Sequence, residues 1–128
     1  MFGLFKRKPN DKEALHAECK AVVRFVQEAD QLTRVAIGHS INLAHSFFRQ
    51  RYANVEAFRN ASIEERNQLI VQLTKMVEGL MQKDRHAAIG FRMFSIWVVG
   101  LTANDTFLTS QVEPIMKELE DILFLVEI

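Results

Sequence analysis

Apolar residues recur at every third or fourth position along most of the chain, which is the spacing that lines one face of an α-helix. The first such series follows Pro9 and Asn10 and covers residues 15–29. A second series steps by three or four through residues 37–58 and predicts one long helix. The break before it is predicted at residues 30–33, with Gly38 as the alternative.

Two polar signals predict where later helices begin. Ser62 and Glu65 match a capping box, in which the serine side chain accepts from the backbone and the glutamate reaches back, so a helix should start near Ile63. Ser110 and Glu113 repeat the pattern before the last apolar series. The last helix is therefore predicted to begin there, with Pro114 in its first turn.

Between these helices, residues 87–101 are apolar on nearly every side. Such a helix must be surrounded by others, so it is predicted to be central, with Trp97 buried. The apolar stretch at residues 89–101 is too short to cross a bilayer and contains Arg92. No segment alternates as a strand does. The sequence predicts an all-α fold, at least about two-thirds helical, in which residues 11–128 form a compact bundle of four to five helices.

Composition narrows the functional classes. Sixteen basic and sixteen acidic residues give a formal net charge of zero, which removes the main electrostatic argument for a nucleic-acid binder. Cys19 is the single cysteine, so an intrachain disulfide is impossible. A cytoplasmic location is therefore favoured, either free in the cytoplasm or at the inner face of a membrane.

Signatures of catalysis, metals and cofactors are missing from the sequence. The five glycines never cluster into a phosphate-binding loop. Glu13 and His16 form the one carboxylate–histidine unit with metal-ligand spacing, and we expect both to be exposed and metal-free. Cys19 lies on an apolar stripe and should pack as a small core residue. The sequence therefore predicts no enzyme, no cofactor and no metal.

The strongest candidate for binding is a polar row on the second helix, whose members are neighbours on one side. Aromatic and arginine residues, which are common in protein interfaces, follow it directly. We predict that a protein partner contacts His39, Asn42, Ser46, Arg49, Arg51 and Tyr52.

The two ends of the chain carry further candidates. Residues 1–10 are predicted to be a flexible head whose aromatic and basic residues are suited to weak contact with a membrane surface. These residues are Phe2, Leu4, Phe5, Lys6, Arg7 and Lys8. Near the C-terminus, Phe124, Leu125 and Ile128 exceed what one buried stripe needs and are available for contact with a second copy.

The leading functional hypothesis is a non-enzymatic intracellular protein that binds a protein partner stoichiometrically, as an inhibitor, a toxin-immunity protein or an adaptor does. One alternative is a peripheral membrane subunit tethered through the head. A second alternative is a small-ligand sensor or enzyme with a pocket inside the bundle.

Overall fold

The computed structural model describes the backbone of residues 11–127 and the side chains of residues 12–123. Of the described residues, 86% are helical and none is in a strand, which confirms the all-α prediction. They form six helices, one more than the upper prediction. These are α1 (Asp11–Glu28), α2 (Gln31–Arg49), α3 (Val55–Arg59), α4 (Ile63–Leu80), α5 (Arg85–Ala103) and α6 (Thr106–Glu127).

The additional helix arises because the predicted long helix over residues 37–58 is wrong. α2 ends at Arg49 and a short non-helical segment follows it. Asn54 then begins α3 by accepting a hydrogen bond from the backbone N–H of Ala57 at 2.8 Å. The apolar spacing continues across this break because Tyr52 and Phe58 both pack against the core. Apolar periodicity thus marks which residues are buried, without showing that one helix joins them.

Local capping also fixes the starts of α2 and α4. The Asp30 carboxylate accepts from the backbone N–H of Thr33 at 2.8 Å, so the break lies at Asp30 and not at Gly38. Ser62 Oγ accepts from the backbone N–H of Glu65 at 3.1 Å, which confirms the predicted start of α4. A capping side chain satisfies an amide that has no partner within the helix.

The predicted start of α6 at Ser110 is wrong. Asp105 caps this helix instead, because its Oδ1 accepts from the backbone N–H groups of Phe107 at 3.1 Å and Leu108 at 3.3 Å. Pro114 consequently lies inside α6, and its ring removes the amide that would bond the Ser110 carbonyl.

α5 occupies the centre of the bundle and packs against α1, α2, α4 and α6. Trp97 is only 8% exposed, as predicted, and its indole N–H donates to Glu113 at 3.0 Å. α5 extends beyond the apolar stretch of residues 89–101, which alone is too short to cross a bilayer. By length and composition, the full helix of 19 residues is long and apolar enough to span one. Core helices of globular proteins also meet these length and composition criteria. Because 61% of the most apolar 18-residue window of α5 is buried in the bundle, α5 has the character of a core helix.

Two close contacts join α5 to its neighbours α2 and α1. At Gly90, α2 comes so close that an added Cβ would lie 2.5 Å from the Cβ of Ser40 and 2.8 Å from the carbonyl oxygen of Ile37. On the side toward α1, Arg92 is buried and its guanidinium binds the Glu18 carboxylate through two hydrogen bonds of 2.5 and 2.6 Å. A paired charge of this kind can be buried at an acceptable cost in free energy.

Candidate functional site

The outward side of α2 carries the polar row predicted from the sequence. His39, Asn42, Ser46 and Arg49 are all exposed and are spaced by three or four residues, so they share one side of the helix. An open depression of about 550 Å³ lies on this side. It is lined by Asn42, His45, Ser46, Arg49 and Gln50. The structure therefore brings most of the predicted row to one concave surface.

Two exposed leucines accompany the polar row. Leu32 is 82% exposed and Leu43 is 64% exposed, the two largest values among the large apolar residues whose side chains are described. They lie three helical turns apart, on the side opposite the buried series that includes Ile41 and Phe48. The sequence prediction missed both, although their phase relative to the buried series was a usable signal. We call the surface formed by Leu32, His39, Asn42, Leu43, Ser46 and Arg49 the α2 face.

The last two predicted contact residues follow α2. Arg51 is exposed, and its guanidinium carbon lies 5.5 Å from the centre of the Phe47 ring, in a cation–π arrangement. Tyr52 is half-buried, with its ring 5.7 Å from that of Phe48 and 5.2 Å from that of Phe58. Arg51 therefore borders the α2 face, whereas Tyr52 packs into the aromatic core.

His45 connects the depression to the core. Its ring lies 5.8 Å from that of Phe94 and 6.3 Å from that of Phe48. Burial lowers the pKa of His45 and nearby Arg49 lowers it further, while Glu120 acts in the opposite direction. The neutral imidazole is therefore favoured in the folded protein, and it retains one N–H donor and one acceptor nitrogen.

We expect the His45→Asn variant to lose less stability on acidification than the wild type. Because the folded pKa is lowered, the unfolded chain binds the proton first as the pH falls through about 6.5. The contribution of neutral His45 is therefore complete above that pH and is lost below it. Urea unfolding at pH 7 and pH 5 measures the effect, and equal losses in the two proteins would contradict it.

His16 differs from its prediction as an exposed residue. Its Nε2 lies 2.7 Å from Oδ2 of Asp105, and its ring stacks on Phe107 with 4.4 Å between centres. Burial raises the pKa of Asp105, but the hydrogen bond from His16 and the capped amide of Leu108 outweigh it and the pKa is lowered. An ionised carboxylate only accepts hydrogen bonds, so His16 donates. Its neighbour Glu13 is exposed, as expected.

Cys19 is fully buried, which confirms its predicted place in the core. Burial raises the pKa of the Cys19 thiol to about 11, and the charges of Asp105 and Glu18 add to the effect. Since the thiolate is the reactive form, the Cys19 thiol is unreactive near neutral pH. Among the residues with described side chains, no three histidine, cysteine or acidic residues are grouped so that they could hold a metal ion.

The candidate membrane and dimer contacts lie outside the described side chains. For the membrane these are Phe2, Leu4, Phe5, Lys6, Arg7 and Lys8, and for a second copy they are Phe124, Leu125 and Ile128. Both remain predictions.

No protein-family model matches the chain, and neither a search of curated proteins nor a search of solved structures finds a match. The chemistry of the α2 face is therefore the basis for inferring a function.

Proposed function

We propose that this chain is a non-enzymatic intracellular protein that binds a protein partner stoichiometrically through the α2 face. Inhibitors, toxin-immunity proteins and adaptors work in this way. The observation that carries the proposal is the 64% exposure of Leu43 within a row of hydrogen-bonding side chains. Leu43 is followed by Ser46 and preceded by His39 and Asn42, all of which are exposed.

Apolar and polar groups have different roles on such a surface. Burying a leucine side chain contributes about 1.5–3 kcal/mol, so Leu43 is suited to anchor a partner. The surrounding amide, hydroxyl and guanidinium groups would fix its orientation through hydrogen bonds. Arg49 and Arg51 belong to the residue type most enriched at interface anchors with tryptophan and tyrosine. Leu32, three turns from Leu43, extends the apolar part of the surface along α2.

Binding is better supported than catalysis by the groups that are present. An enzyme that used Cys19 would need an accessible thiolate, whereas this thiol is fully buried and its pKa is about 11. His16, the nearest histidine along α1, has its Nε2 engaged by Asp105. The depression on α2 is open and its lining is mainly polar, whereas small-molecule sites are typically enclosed and mostly apolar.

Photo-crosslinking from position 43 tests the proposal in the cells that make the protein. A crosslinking amino acid in place of Leu43 should capture one protein as a 1:1 adduct, whereas the same group at Val71 should not. Val71 is the matched control because it is also exposed, at 40%, but lies on α4. Failure to capture any protein from position 43, or capture of the same proteins from both positions, would contradict the proposal.

The captured partner then allows a quantitative prediction. Leu43→Ala and Arg49→Ala should each weaken binding about 30-fold, the effect of losing roughly 2 kcal/mol at an interface anchor. The melting temperature should change little because both side chains are exposed. Titration calorimetry measures the affinity, with Val71→Ala as the control. Full-strength binding by both variants would exclude this face.

A further inference from the structure

We infer that the partner segment on the α2 face is acidic and that Arg49 binds one of its carboxylates. This inference rests on the proposed function, because it names the chemistry of the partner at the same surface. The inference depends on the uneven distribution of charged residues along the chain. The formal net charge of zero does not reveal this distribution.

The chain contains no aspartate or glutamate between Gln31 and Val55, although acidic and basic residues are equal in number overall. Of the three arginines in this stretch, Arg34 pairs with Glu118 of α6 at 2.8 Å. Among the described residues, Arg49 and Arg51 form no ion pair. Arg49 and Arg51 therefore present positive charge that no ion pair among the described residues neutralises, and Glu120 of α6 is the acidic residue that acts on neighbouring His45.

The depression around Arg49 has matching chemistry. It is lined by two amides, an imidazole, a hydroxyl and a guanidinium, and each of these groups can donate a hydrogen bond. A carboxylate only accepts, and a guanidinium can bind its two oxygens side by side. The lining contains no acidic residue that would compete for Arg49.

The neighbouring helix limits which anions fit. Glu118, Glu120 and Asp121 of α6 are exposed, and α6 packs against α2. An extended polyanion such as a nucleic acid would meet these carboxylates as well as the arginines. A short acidic protein segment with an apolar residue against Leu43 can place its charge beside Arg49 without extending along α6, so the occupant is such a segment.

Two synthetic helical peptides serve as probes for this chemistry. One carries leucine and glutamate on the same side, and the other has glutamine in place of every glutamate. In NMR titrations of the full chain, the glutamate peptide should shift the amide signals of Asn42, Ser46 and Arg49. It should bind up to about fivefold more tightly than the glutamine peptide, because an exposed ion pair contributes at most about 1 kcal/mol. Arg49→Gln should abolish the difference, while Lys75→Gln, on the exposed side of α4, should preserve it.

Several results would overturn the inference. They are equal affinity for the two peptides, no binding of the glutamate peptide, shifts elsewhere on the protein, or unchanged discrimination in Arg49→Gln. A wild-type dimer in light scattering that becomes monomeric in Arg49→Glu would overturn it as well, because a second copy would then be the occupant. The proposed function can hold even if this inference about an acidic partner fails. A partner crosslinked at position 43 through a segment without acidic residues would sustain that function and refute only its acidic chemistry.

Discussion

Replacing Phe48 with alanine should lower the free energy of unfolding by about 3–5 kcal/mol, the largest loss we expect from a single substitution. The side chain is 1% exposed and its ring lies 5.4 Å from that of Phe58, 5.8 Å from that of Phe94 and 6.0 Å from that of Trp97. It therefore joins α2, α3 and α5 in one aromatic cluster. Alanine would leave a cavity that three separate helices would have to move to close.

Phe47→Ala provides the matched control for this prediction. Phe47 is the adjacent residue of the same type, but it is half-buried and its ring contacts Arg51 at the surface. We expect a loss of about 1 kcal/mol, near the centre of the range for single substitutions. Urea unfolding followed by circular dichroism measures both variants. Similar losses at the two positions would mean that the aromatic cluster does not hold α3 against the bundle.

Gly90→Ala should destabilise the protein by about 1–3 kcal/mol, even though alanine is the better helix former. The added Cβ would lie 2.8 Å from the backbone oxygen of Ile37 and 2.5 Å from the Cβ of Ser40. Neither atom is the free end of a side chain, so α2 and α5 would have to separate along their contact. Thermal and urea unfolding measure the loss.

Gly79→Ala should have the opposite sign. No atom lies within 4 Å of the Cβ that would be added there, so only the helix propensity of α4 changes. A gain of about 0.5–1 kcal/mol is expected. If Gly90→Ala were instead as stable as the wild type, the close approach of α2 to α5 would not be a fixed feature of the bundle.

The sequence predicted helix starts well where the capping signal is complete within a few residues. Ser62 and the amide of Glu65 form such a local unit. Ser110 and Glu113 have the same spacing, yet α6 begins before them. Asp105 takes the capping role because its carboxylate accepts from the amides of Phe107 and Leu108, and it also receives a hydrogen bond from His16, which is distant in sequence. His16 and Asp105 are 89 residues apart along the chain, so no local sequence pattern indicates their contact.

The candidate site was predicted in part for a related reason. Helical spacing alone placed Asn42, Ser46 and Arg49 together, because a helix fixes the relation between residues three or four apart. Leu43 was not singled out, since it lies among buried apolar residues in the sequence and resembles them in type. Its phase relative to Ile41 and Phe48 indicates the outward side of the helix, but the extent of its exposure depends on how α2 packs against its neighbours. The charge of the surrounding surface likewise depends on which helix packs beside α2.

The Asp105 carboxylate connects two helices, because it bonds α1 and the first turn of α6 at the same time. One of its oxygens caps α6 and the other binds His16 of α1. The first turn of α6 and the docking of α1 therefore share one carboxylate, and each event lowers the entropic cost of the other by holding that side chain in place. We therefore expect α1 and the start of α6 to unfold together, although 89 residues separate His16 from Asp105 along the backbone.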